Sequence, residues 1–123
     1  MALFLYPKEI EAGKAYEQIA AEFLMSKGYQ ILDRNFRTRL GEIDIIAIQE
    51  GELVFVEVKG GQADPPPQLR VTKSKIRKMT RAIYAYLSRN IHPDAFQAVR
   101  IDVVVVLEPD RQIQHFVDVT AHG

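Results

Sequence analysis

Residues 98–108 read AVRIDVVVVLE, and this run restricts the fold more than any other part of the chain. Its β-branched side chains suit an extended backbone. It is almost continuously apolar, the pattern of a strand buried on both faces. Such a sheet needs helices packed against it, and two segments supply them. From Lys8 to Lys27 the residues Tyr16, Ile19, Ala20, Phe23 and Leu24 recur at spacings of three and four, one apolar stripe. Gly28 follows as a C-cap. From Thr72 to Ser88 the residues Ile76, Met79, Ile83, Tyr86 and Leu87 repeat that spacing, with Thr72 or Ser74 as the N-cap.

The remaining strands follow from alternation and turn chemistry. Tyr29–Phe36, Glu42–Gln49 and Leu53–Lys59 read as three strands, and Gln112–Val119 as a last, more exposed one after a turn at Pro109-Asp110. The segment GGQADPPPQ, residues 60–68, is expected to be a loop. The order is α-β-β-β-α-β-β. That predicts an α/β sandwich with a mixed central sheet flanked by helices, a single domain over residues 1–123. No GxGxxG or GxxxxGK[ST] occurs, so a phosphate-cradling nucleotide fold is not expected.

Composition removes other classes. With 47% hydrophobic and 26% charged residues, the chain is globular rather than disordered. It has no apolar run long enough for a membrane span, and its start, MALFLYPKEI, lacks the basic flank and long apolar core of a secretory signal. Cysteine is absent, which excludes disulfides, thiolate nucleophiles and Cys-ligated zinc, and favours a cytoplasmic location.

The stretch GEIDIIAIQEGELVFVEVK raises the functional question. Asp44, Glu57 and Lys59 sit among Ile, Val and Phe, where charge is costly unless paired. If Glu50-Gly51 is a two-residue turn, Gln49 pairs with Glu52, Ala47 with Val54 and Asp44 with Glu57. A four-residue turn closed by Ile48 and Leu53 gives the same register. Asp44 and Glu57 then meet across the hairpin with Cβ atoms roughly 5 Å apart, and Lys59 projects from the same face. Like charges so placed destabilise a sheet. A hard divalent cation, Mg²⁺ or Mn²⁺, resolves the conflict, because it is held by one or two carboxylates plus water and phosphate. Lys59 would then orient or activate a water, or balance charge on a phosphate. The plainer alternative is a solvated Glu57–Lys59 pair with Asp44 capping backbone N–H groups. Glu17, at the rim of the first helix's apolar stripe, is a candidate third acid, with Glu11 and Glu22 as alternatives by charge.

Residues 70–89 carry Arg70, Lys73, Lys75, Arg77, Lys78, Arg81 and Arg89 and no acid. This basic amphipathic helix reads as a phosphate-contacting element rather than a solvated face or an anionic-lipid contact. Arg34, Arg37 and Arg39 add charge on the approach. Tyr86 lies on the core stripe. His92, His115 and His122 show no metal-ligand spacing, and Arg100 with Asp102 is read as a structural ion pair.

The segments YEQIAAEFLMSKGYQIL, RNFR, GEIDIIA, LVFVEVK and RIDVVVV together resemble the YraN-like family of small bacterial proteins. That family looks like a branch of the PD-(D/E)XK nuclease superfamily, with its restriction-endonuclease-like sandwich, near the archaeal Holliday-junction resolvases. The resemblance implies Mg²⁺-dependent hydrolysis of DNA phosphodiester bonds, branched DNA included. It implies metal ligation by Asp44, Glu57 and the Val58 carbonyl, with Lys59 as catalytic lysine and Glu17 as the helix acid. Glu42 is read as a supporting group on the face opposite Asp44. Where the family continues with a small polar and then a basic residue, this chain has Gly60-Gly61. That departure keeps a second function in view, a non-catalytic nucleic-acid-binding module that retains the nuclease fold. A protein-interaction domain is the third. Symmetric cuts in two strands would call for a homodimer by analogy.

Overall fold

A computed structural model describes residues 6–62, 72–90 and 98–119, with the backbone alone for 6–11 and for residue 90. The elements are α1 (Tyr6–Ser26), β1 (Gln30–Thr38), β2 (Gly41–Gln49), β3 (Glu52–Gln62), α2 (Lys73–Asn90), β4 (Ala98–Glu108) and β5 (Gln112–Phe116). They form one five-stranded sheet in the order β1-β2-β3-β4-β5. Only β3 and β4 are parallel; the other neighbours are antiparallel. A parallel pair needs a crossover, and α2 lies within it. The predicted mixed α/β sandwich and its element order are observed.

Alternation along β3 divides the core. Val54 and Val56 face α1 and pack with Ala20, Leu24, Ala47 and Val104. Leu53 and Phe55 face α2 and pack with Met79, Ala82, Ile83, Tyr86 and Ile101. The run from Ile101 to Val106 in β4 is buried throughout, Asp102 included, as its almost continuously apolar sequence predicts. Tyr86 meets Phe36 and Phe55 edge to face, with ring centroids 5.2 and 5.8 Å away, and is a core residue as expected.

The helix ends follow local chemistry. Gly28 and Tyr29 donate to the Met25 and Leu24 carbonyls, both at 3.0 Å, closing α1 as a Schellman motif. Thr72 rather than Ser74 caps α2: its hydroxyl accepts the Lys75 N–H at 3.1 Å.

Three expectations need correction. β3 does not end at Lys59 but runs through Gly60 and Gly61 to Gln62, paired with Val106, Leu107 and Glu108. Parallel pairing with β4 holds these glycines in the strand despite their low strand preference, Gly61 at a positive φ of 137°. Residues 63–71, which hold the prolines and Arg70, lie outside the described residues. The last strand stops at Phe116 rather than Val119, because Asp118 takes a positive φ of 53° and Val119 donates to the Ile101 carbonyl at 2.8 Å. α1 begins at Tyr6, two residues before the apolar periodicity shows it.

Candidate metal centre

The β2–β3 hairpin sets the site. Glu50 and Gly51 both take positive φ, 50° and 79°, as a two-residue type I′ turn requires. Gln49 pairs with Glu52, Ala47 with Val54 and Ile45 with Val56, the predicted register. The next rung would set Asp44 opposite Glu57, but main-chain pairing stops one step short. There the Asp44 carboxylate accepts the Val58 N–H at 2.8 Å. A side chain thus replaces a backbone partner, and the strands open into a cleft of about 480 Å³.

Glu17, Asp44, Glu57, Val58 and Lys59 all line this cleft. Glu57 is the most enclosed, with 2% of its side chain exposed. Its Oε1 lies 3.4 Å from the Lys59 ammonium and 3.4 Å from that of Lys75, and its Oε2 is buried with no hydrogen-bond partner. Burial and then the Asp44 charge push the Glu57 carboxyl up to about 7. Burial also raises Asp44, against the pull of the Val58 N–H and Lys75. Glu17 is raised by burial and then by Asp44. It sits on the face of α1 turned to the cleft, where the Asn35 amide, turned with its nitrogen toward the carboxylate, donates at 3.1 Å. Asn35 reaches it from a left-handed backbone, φ 55°, that asparagine tolerates better than most residues.

The acids therefore disfavour one another's charge, and one carboxylate oxygen is buried without a partner. Among the described residues, no three acids or histidines close into a complete metal cage. The set fits an ion that takes one or two carboxylates and fills its shell with water and substrate oxygen.

Several placements differ from expectation. Glu42 is not on the face opposite Asp44. Two residues apart in a strand share a face, and Glu42 lines the same cleft, its carboxylate 3.4 Å from Arg37. Lys75, expected only as a phosphate contact, is a member of the site. The first turn of α2 points it at Glu57, which periodicity alone does not reveal. Lys73, Arg77 and Arg81 stay on the exposed side of α2, while Lys78 turns toward β2. Glu17 lines the cleft, Glu22 is exposed and accepts from Gln18, and the Glu11 side chain lies outside the described residues. Tyr16 was missed as a cleft residue. Its ring covers Gly60, where a Cβ would overlap ring atoms, and its hydroxyl donates to Glu108 at 3.0 Å. Glycine after Lys59 is thus the residue that lets Tyr16 close the cleft.

Arg100 and Asp102 form the anticipated ion pair, 3.1 Å apart. Asp102 also accepts from the Tyr29 hydroxyl and the Asp118 N–H and lies 2.8 Å from His115 Nε2. His115 is a part-buried partner of this network. His92 and His122 lie outside the described residues. No helix among the described residues is long and apolar enough to cross a membrane.

A family model described as "Uncharacterised protein family UPF0102" matches residues 16–106, a span that includes every cleft residue named above. A UPF0102 protein of Kosmotoga olearia is 43% identical over 106 residues, covering 86% of this chain and 90% of its own. One of Pseudothermotoga lettingae is 46% identical over 106 residues, covering 86% and 95%. One of Pelobacter propionicus is 44% identical over 119 residues, covering 91% and 84%.

Proposed function

The chain belongs to the uncharacterised protein family UPF0102, and from that starting point we propose that it is a divalent-metal-dependent nuclease of the PD-(D/E)XK type that hydrolyses DNA phosphodiester bonds. The observation that carries this reading is the cleft itself. Asp44 and Glu57 converge with Lys59 where the β2–β3 ladder opens, and a Glu57 oxygen is buried without a partner.

When bound, Mg²⁺ or Mn²⁺ supplies Lewis-acid activation of the phosphate and of the attacking water. Asp44 and Glu57 would hold the ion, with the Val58 carbonyl and Glu17 beside them. The Val58 N–H fixes one Asp44 oxygen and so orients the carboxylate. Lys59, with its side chain one-quarter exposed, keeps its ammonium at the cleft, where it opposes negative charge building on the phosphate. Lys75 reaches the same carboxylate from α2 and adds a second positive charge. The acids' raised affinity for protons is what an ion in the cleft would relieve.

The test uses purified protein, Mg²⁺ or Mn²⁺, and labelled duplex, single-stranded and four-way-junction DNA. Cleavage by the parent is expected, falling by roughly 10²–10³-fold or more in Asp44→Ala and Lys59→Ala. Salt-sensitive binding without cleavage, indifferent to Asp44→Ala, would instead establish a binding module.

A further inference from the structure

A groove leads away from the metal cleft. Glu42 lines both that cleft and a second one bounded by Arg37, Leu40 and Lys78. Leu40 in turn lines a third, bounded by Arg39 and Arg89. Along α2 the positions 75, 78, 82, 85 and 89 fall within an arc of about 80° at 3.6 residues per turn. Lys75, Lys78 and Arg89 thus form one line of charge beside the β1–β2 turn. Fourteen residues at 1.5 Å each make that line ~21 Å long. This is about six nucleotide steps at 3.4 Å.

The groove wall is fixed. Thr38 Oγ1 accepts the N–H groups of Leu40 and Gly41, both at 3.1 Å. A Cβ at Gly41 would collide with the Lys78 carbonyl, so the turn is pressed directly on the α2 backbone. This holds Leu40 at the tip, 57% exposed, between Arg39 and the helix. Glu42 is offset by Arg37. Among the described residues, Arg39, Lys78 and Arg89 have no acid within ion-pair distance.

We propose that this groove carries the sugar–phosphate backbone of one nucleic-acid strand away from the metal cleft, with Leu40 as an apolar contact to a base or sugar where the second and third clefts meet. The proposal rests on the nuclease reading for its origin at the cleft. A row of cations beside a rigid turn, of which Arg39, Lys78 and Arg89 have no acid at ion-pair distance among the described residues, complements a repeating anion, and backbone contact of this kind gives affinity without sequence preference. Leu40 adds contact that salt does not screen.

The experiment is fluorescence anisotropy with a labelled duplex of about 20 base pairs and a matching single strand, in chelator, over a salt series. Loss of two phosphate contacts in Arg39→Ala/Arg89→Ala should flatten the log K against log salt slope by about 1.4 for the single strand or 1.8 for the duplex. Affinity should fall about tenfold or more. Leu40→Ser should weaken binding with the slope unchanged. Lys27→Ala/Arg111→Ala removes the same charge away from the groove and should leave the slope as in the parent. An equal change in both double variants, an unchanged slope in the groove pair, or no binding by the parent would overturn the proposal. Cleavage is scored separately. Metal-dependent cutting with an unaltered groove pair removes the groove alone. Groove-dependent binding by a parent that never cuts supports the groove and removes the nuclease reading.

Discussion

Glu57 holds a charge that the folded chain makes unfavourable. Its carboxyl titrates near 7 in the fold against an ordinary value of 4.5. Between those values the folded state keeps a proton that the unfolded state has lost. The contribution of Glu57 to stability is therefore most favourable below about pH 4.5 and falls as pH rises toward 7. The outcome expected for Glu57→Gln without metal is a chain more stable than the parent at pH 8, on the order of 1–3 kcal/mol, with little difference at pH 4.5. Thermal melts across that range check it; a parent more stable than the variant at pH 8 would contradict it. Asp102 has the opposite sign. Burial alone would raise its carboxyl, but His115, the Asp118 N–H and Arg100 hold it below the usual 3.8. Its stabilisation is present above that value and lost as pH falls through the lower folded one. Asp102→Asn leaves Arg100 short of its buried partner and should cost about 3–5 kcal/mol at pH 7, measured by denaturant unfolding.

At the scale of elements, the closure of the cleft depends on α1 meeting β3. Gly60→Ala places a methyl group in the Tyr16 ring and should destabilise by about 1–3 kcal/mol. Removing the ring as well, in Tyr16→Ala/Gly60→Ala, should recover part of that loss, so the two changes will not add. Additive losses in urea melts would show that ring and glycine are not in contact. The hairpin register and the buried β4 strand were legible in the sequence, because both rest on local rules of period and turn. That Asp44 accepts a backbone N–H was legible as the plainer alternative and is observed; that the N–H is Val58's and that the ladder opens there was not, since it depends on how the two strands part. Nor was the length of β3: Gly60 and Gly61 break a strand pattern locally, and pairing with Val106 and Leu107 holds them in the strand. Lys75 was legible as a cation and not as a partner of Glu57, because two elements distant in sequence must pack before they meet.

For the molecule as a whole, the sheet and its two helices bring four acids, Glu17, Glu42, Asp44 and Glu57, and two lysines to one open end. The Arg100–Asp102–Tyr29–His115 network is a separate cluster that ties β4 to β5 and to the end of α1. That separation predicts that changes at the cleft alter metal binding without unfolding the chain. The direct measurement is a calorimetric titration of Mn²⁺ into the purified protein at pH 8, where Glu57 is ionised, with Asp44→Ala beside it. One ion per chain in the parent, lost in Asp44→Ala while that variant stays folded, is the predicted result. No heat of binding in the parent, or the same isotherm in both proteins, would contradict the metal centre on which the account rests.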